Sequence, residues 1–350
     1  MKICPCLLAL CIAFCSLAVD AREQKADGTY RVRRTVKLGG DGGFDWPIVD
    51  ATAGKLYIPR SGDKPHISIF DLATLKPAGE ISGVSARNVA IDSELKRAFA
   101  ASSPVAIWDT GTGAVIKRVP IEGKPAGIMA DALTHRIFVQ GRSEPGLTVL
   151  DAKDGAVLGT LAVGGEIEQS ASDGAGLIYV DIEDRQSVVV IDAKAMEIRS
   201  TINLDGVVGK SEGMALDTKN HVLFVASRDP QITAMIDTQT GKVISRLPIG
   251  KGCSAAAFNP KTMECFFANA DGTLTIIKEK SPTEFVVEQT VTTLPGTKRL
   301  SLDSQTGRIY LITAEYAEAA APTAGAKPGA PATRGSMKPG SFTVIVIGKD

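Results

Sequence analysis

Residues 50–72 read DATAGKLYIPRSGDKPHISIFDL. Asp50 opens a short polar turn, and a hydrophobic run with one aromatic, Tyr57, follows it. A second turn leads to a second hydrophobic run that ends at Asp71. The chain repeats this unit. The opening anchor recurs as Asp50, Asp92, Asp131, Asp173, Asp217, Asn259 and Asp303, at steps of 42, 39, 42, 44, 42 and 44 residues. The closing anchor recurs as Phe70-Asp71, Trp108-Asp109, Leu150-Asp151, Ile191-Asp192 and Ile236-Asp237, then decays to Ile277-Lys278 and Ile347-Gly348.

An aromatic stands seven residues after the anchor at Tyr57, Phe99, Phe138, Phe224, Phe266 and Tyr310; in the fourth copy Tyr179 arrives one place early. Aromatics are only 5 % of the chain, so their return in every copy marks the register. A large flat side chain suits the packing of one pleated sheet on its neighbour. Seven copies at this period predict an all-β fold, a seven-bladed β-propeller with four antiparallel strands per blade. Tyr30–Leu38 alternates as a strand but precedes the first complete copy, whereas the last copy supplies only three strands. The N-terminal strand is therefore expected to close the ring as the outermost strand of the last blade, which removes open edges.

The turn joining the third and fourth strands reads D-x-x-x-G at Asp109–Gly113, Asp151–Gly155 and Asp237–Gly241. Asp caps such a turn and Gly supplies positive φ, so these carboxylates read as structural. Residues 315–340 insert an Ala/Pro/Gly-rich stretch between the second and third strands of the last copy. Its composition cannot bury a core, and it reads as a flexible loop.

The 350 residues carry 39 basic and 39 acidic side chains. That balance argues against a nucleic-acid binder, which needs a basic footprint. Residues 1–21 read as an export signal, with Lys2 ahead of an apolar run and small residues for cleavage after Ala18 or Ala21. The mature chain, 22–350, is then expected to be one propeller, monomeric, periplasmic or secreted, with no membrane span. Four of the six cysteines lie in the leader. Cys253 and Cys265 fall on one hairpin, opposite roughly Asn269 and Ala257, too far out of register for a disulfide.

The motifs Gly176-Leu177-Ile178-Tyr179-Val180, Val188-Val189-Val190-Ile191-Asp192 and Gly241-Lys242-Val243-Ile244-Ser245 resemble those of the exported YVTN-repeat β-propellers, the YncE-like group. Leu38-Gly39-Gly40-Asp41-Gly42-Gly43-Phe44-Asp45-Trp46 and Pro339-Gly340-Ser341-Phe342-Thr343 resemble a bacterial branch of it. The resemblance covers residues 30–348 and implies fold and export, without a reaction or catalytic residues. Such repeats carry Asn where the second strand ends; here the place holds Arg60, Arg142, Asp181, Arg228 and Asn269.

In propellers of this kind the loops entering the first strand and leaving the second surround the channel mouth, the usual ligand face. Five residues before each anchor stand Asp45, Arg87, Ala126, Glu168, Glu212, Ser254 and Lys298, five of them charged against 22 % for the chain. The next place holds Trp46, Asn88, Gly127, Gln169, Gly213, Ala255 and Arg299. From these we take Asp45, Trp46, Arg87, Asn88, Glu168, Gln169, Glu212, Ser254, Lys298 and Arg299 as the candidate site for a small polar ligand, a peptide or a protein partner. The bland reading is that opposite charges there pair. No cofactor is expected, and no histidine pair has zinc-like spacing. Two rival readings remain. One is a metal-assisted lactone or ester hydrolase that holds Ca2+ or another divalent cation with Asp45, Glu168 and Glu212, as in propeller lactone hydrolases. The other is single-stranded nucleic-acid binding by Arg60, Arg87, Arg142, Arg185, Arg228 and Arg299, although acids are interleaved with them.

Overall fold

The repeat anchors bend the chain. The carboxylate of Asp50 accepts from the amide of Ala53 at 2.8 Å, Asp92 from Leu95 at 3.0 Å, Asp217 from Lys219 at 2.9 Å and Asp303 from Gln305 at 2.9 Å. Asn259 does the same to Lys261 at 3.1 Å with its amide oxygen. Each therefore fixes the tight turn between the first and second strands of its blade. The D-x-x-x-G aspartates cap the next turn but one, as expected: Asp109 accepts from Gly111 and Thr112, and Asp237 from Gln239 and Thr240. Gly113, Gly155 and Gly241 hold φ of 75°, 71° and 69° there, a region glycine enters without steric cost.

A computed structural model describes residues 1, 28–40, 42–144, 146–318 and 335–349. These form seven antiparallel sheets of four strands each. The first blade is Ile48–Asp50, Lys55–Arg60, His66–Asp71 and Pro77–Ser82, paired in chain order. Five more blades follow the same order from Val89–Asp92 to Glu284–Thr292. The seventh holds Arg299–Asp303, Arg308–Thr313 and Thr343–Gly348, and Arg31–Lys37 pairs outside the last of these. The fold is the seven-bladed β-propeller with the N-terminal closure read from the sequence.

The seven repeat aromatics fall one into each of seven buried clusters, and each cluster lies between adjacent blades. Phe224, for example, packs from the fifth blade against Phe258, Phe267 and Phe285 of the sixth. The core is thus a set of wedges between sheets.

Closure is also held by side chains. Buried Glu264 of the sixth blade accepts from the Tyr30 hydroxyl at 2.5 Å and from Lys349 Nζ at 2.7 Å. Gln289 bonds both the amide and the carbonyl of Tyr30 at 2.9 and 2.7 Å. The two ends of the described ring therefore lock onto one neighbouring blade.

The cysteine expectation holds with one adjustment. Both thiols are free and buried. Cys253 opposes Asn269, but Cys265 opposes Phe258, because the register shifts between Cys253 and Ala255. In the 315–340 insertion the described ends pair, with Ala317 N donating to Ser336 O at 2.9 Å and Lys338 N to Glu315 O at 2.9 Å. Residues 319–334 of the insertion, and residues 2–27 with the expected leader, lie outside the described residues. No helix among the described residues is long and apolar enough to cross a membrane.

Candidate functional site

The residue five places before each anchor lies just before the innermost strand in Asp45, Arg87 and Lys298, and at its start in Ala126, Glu168, Glu212 and Ser254. Side chains from successive blades meet there, and their charges pair. Asp45 Oδ2 accepts from Arg87 Nε at 3.0 Å, and Asp45 Oδ1 faces Arg299 Nε at 3.4 Å. The Ser254 carbonyl accepts from Arg299 Nη1 at 3.0 Å, and its hydroxyl donates to Glu212 Oε2 at 2.6 Å. Glu212 Oε1 is held by Arg228. One chain of polar contacts thus runs from the second blade through the first, seventh and sixth to the fifth. On the other side of the mouth Glu168 pairs with Arg142, from the fourth blade to the third. Removing such charges from water is tolerable only with partners of this kind.

Trp46 is buried in the wedge between the sixth and seventh blades, with the Arg299 guanidinium 4.3 Å over its ring. Its face is therefore covered by protein. Burial pulls the Arg299 guanidinium below its usual pKa, and the Asp45 carboxylate works against that pull. Gln169 accepts from the Met214 amide at 2.5 Å, and Asn88 Oδ1 from the Val89 amide at 2.8 Å. Lys298 is half-buried at the seventh blade's place in the ring and has a partner.

The three carboxylates named as metal donors each face an arginine and are not gathered together. Among the described residues no group of three or more His, Cys, Asp and Glu is placed to hold a metal ion. The arginines of the mouth are likewise engaged. Arg87, Arg142, Arg185, Arg228 and Arg299 each face a carboxylate, and Arg60 lies 4.4 Å over the Phe342 ring. Burial pushes the Cys253 thiol up to about 12, so it is no ready nucleophile. Of the histidines, His135 faces Asp92 and Glu94 on the opposite face of the ring.

Beside the paired ring lies a cleft of about 390 Å³ over the first three blades. Loops entering the inner strands supply Phe44, Asp45, Ser85, Arg87 and Lys124; loops leaving the second strands supply Ser61, Ser102 and Ser103. Gly42 and Gly43 make this wall possible. A Cβ on Gly42 would stand 1.9 Å from the Ser61 carbonyl oxygen, and one on Gly43 2.5 Å from the Ser61 hydroxyl. The loop thus lies against Ser61, whose amide donates to Gly43 O at 3.0 Å, and delivers Phe44 and Asp45 to the cleft. Sequence reasoning found Asp45 and Arg87 but missed Lys124. Aligning the copies two places earlier would have brought it up beside Ser85.

Asp181 also escaped the ring alignment, because it sits where the second strand of the fourth blade ends. It is fully buried and accepts from the Ser211 hydroxyl at 2.6 Å, while Oδ2 has no partner among the described residues. Burial, with Glu212 nearby, raises its pKa from the ordinary 3.8 to about 7 against the pull of that hydroxyl.

A wider hollow of about 980 Å³ on the opposite face is lined by Leu133, Arg136, Leu177, Asp192 and Arg199 among others. Its charges are engaged: Arg199 meets Asp192 at 2.5 Å, and Arg136 donates to the carbonyls of Ala193 and Lys194.

Comparison with known proteins finds a partial likeness. The chain is 28 % identical over 135 residues to "Uncharacterized protein YncE" of Salmonella typhi and, equally, of Salmonella typhimurium strain LT2, covering 35 % of this chain and 37 % of each relative. The protein of the same name in Escherichia coli K12 is 27 % identical over 135 residues, with the same shares covered. The chain thus matches little more than a third of the length of these curated relatives. No family model matches it. With seven four-stranded blades closed into a ring, the chain is a seven-bladed β-propeller that is similar to YncE over about a third of its length.

Proposed function

We propose that this protein is an exported, monomeric binding module that takes a small polar ligand at the channel-mouth face. The observation that carries this reading is the cleft of about 390 Å³ whose lining includes two members of the mouth ring, Asp45 and Arg87. That volume is within the range of about 300–1,000 Å³ typical of ligand clefts. The bonded ring behind it holds the walls in place before a ligand arrives, which lowers the entropy lost on binding. The groups a hydrolase would use are otherwise occupied: the mouth carboxylates face arginines, and the repeat aspartates cap turns. The mouth arginines face carboxylates too, which weakens the case for a strand of nucleic acid. Export rests on residues 1–21, and N-terminal sequencing of protein recovered from the periplasm or medium tests it.

The binding reading is tested by thermal melting of the purified protein against sugars, amino acids, short peptides, organic acids and phosphates. At least one class should raise the midpoint, and Arg87→Ala should abolish that rise. A panel in which no class acts, or in which Arg87→Ala leaves the rise intact, contradicts the mouth-face reading.

A further inference from the structure

The chemistry of that cleft can be read one step further, and this step rests on the ligand-binding reading above. Its ionisable lining is Asp45, Arg87 and Lys124. Both oxygens of the Asp45 carboxylate are already engaged, one by Arg87 Nε and the other by Arg299 Nε. Asp45 therefore has little capacity to receive a cation. The two bases differ from it. Arg87 uses only Nε on Asp45, which leaves both terminal nitrogens of a guanidinium whose side chain is 37 % exposed. Lys124 is exposed and forms neither a hydrogen bond nor an ion pair among the described residues.

Hydroxyl groups complete the lining. Ser61, Ser85, Ser102 and Ser103 stand around the two bases. The Ser103 hydroxyl donates to the Ile121 carbonyl at 3.2 Å and Ser102 to the Pro104 carbonyl at 2.7 Å, so each keeps its oxygen lone pairs free. Ser61 and Ser85 are exposed. Two cations with free N–H donors, one neutralised carboxylate and a fringe of hydroxyls form a surface that favours negative charge. The other mouth arginines lack this freedom, because Arg142 and Arg228 are directed at Glu168 and Glu212.

We infer that the cleft over the first three blades binds a compact oxyanion, the carboxylate or phosphate group of a small molecule, between Arg87 and Lys124. Arg87 offers a planar fork suited to two oxygens, and Lys124 offers a point charge from the loop entering the third blade. Carboxylate and phosphate share this chemistry, and the experiment separates them.

The test is isothermal titration of the whole protein with four probes: succinate, inorganic phosphate, neutral succinamide and cationic 1,4-diaminobutane. Binding by succinate or phosphate, and by neither of the other two, is expected. Lys124→Gln should weaken it about tenfold or more, whereas Lys124→Arg should keep most of it. Lys124 is exposed, so neither variant threatens folding. Succinate alone identifies a carboxylate ligand, phosphate alone a phosphoryl ligand. Equal binding of succinamide and succinate, or an unchanged affinity in Lys124→Gln, overturns the oxyanion inference and leaves the mouth-face reading standing. Binding of none of the four probes at millimolar concentration overturns it as well, while a response to sugars or peptides in the melting panel would still support ligand binding.

Discussion

The hydroxyl of Ser254 donates to Glu212 Oε2 at 2.6 Å across the boundary between the sixth and fifth blades, 42 residues apart in the chain. The spacing is one repeat, so the same position in two copies becomes a contact between neighbours. Both side chains are buried. The bond therefore joins the blades and balances a desolvated carboxylate at the same time. A hydrogen bond to a charged group contributes about 1.5–3 kcal/mol. Ser254→Ala is expected to cost that much in urea unfolding. In a Glu212→Gln background the same change should cost less than about 1 kcal/mol, because the charge that made the bond strong is gone. Equal costs in the two backgrounds would show that the pair is not coupled.

The closure of the ring rests on Glu264. Burial pushes its pKa up, but Lys349, Thr262 and Tyr30 together bring it below the usual value. Its contribution to stability is then present above about pH 4.5 and is lost as the pH falls through the lowered folded value. Lys349→Met leaves the buried carboxylate without its cation and should cost about 2–4 kcal/mol at pH 7. Tyr30→Phe removes only a neutral donor and should cost about 1.5–3 kcal/mol. Chemical denaturation at pH 7 checks both values. A loss under about 0.5 kcal/mol in both variants would mean that backbone pairing alone closes the ring.

Asp181 gives a pH dependence of opposite sign. Its folded pKa near 7 lies above its ordinary 3.8, so the folded state holds an extra proton between those values. The stability it contributes is complete below about pH 4 and is lost as the pH rises through 7. The midpoint of melting is expected to fall from pH 5 to pH 8. Asp181→Asn, a neutral stand-in for the protonated acid, should flatten that fall by an amount on the order of 2–4 kcal/mol. The same slope in wild type and variant would exclude Asp181 as its source.

The wedge aromatics are expected to be among the most sensitive positions. Phe224 is fully buried against three phenylalanines of the next blade. Phe224→Ala should cost about 3–5 kcal/mol in equilibrium unfolding, the range for a large core truncation. A cost below about 1 kcal/mol would contradict the packing described for that wedge.

The blade count, the turn caps and the N-terminal closure were legible because a repeat writes the same physics several times. One Asp before a turn is ambiguous, whereas Asp at six of seven corresponding places, with Asn259 at the other, is a structural rule. The mouth ring was also legible as positions. Its pairings were not, because Asp45 meets Arg299 only once the ring has closed. The ring positions said that charges converge but not which of them neutralise each other. Trp46 is a case in point: rarity made it conspicuous, yet it fills a wedge beneath Arg299. Lys124 was passed over for the opposite reason, as one lysine among many before the fold placed it in the same cleft as Arg87. The register of Cys265 was off by one because a bulge after Cys253 leaves no mark in the spacing.

The most direct test of the account is amide chemical-shift mapping on the isotopically labelled protein during titration with succinate and with inorganic phosphate. Saturable shifts should cluster at residues 42–45, 85–88, 101–103 and 124–127, the segments that line the mouth-face cleft. Shifts confined to the opposite face, around Leu133, Leu177 and Ala195, or the absence of any saturable shift with either anion, would contradict it.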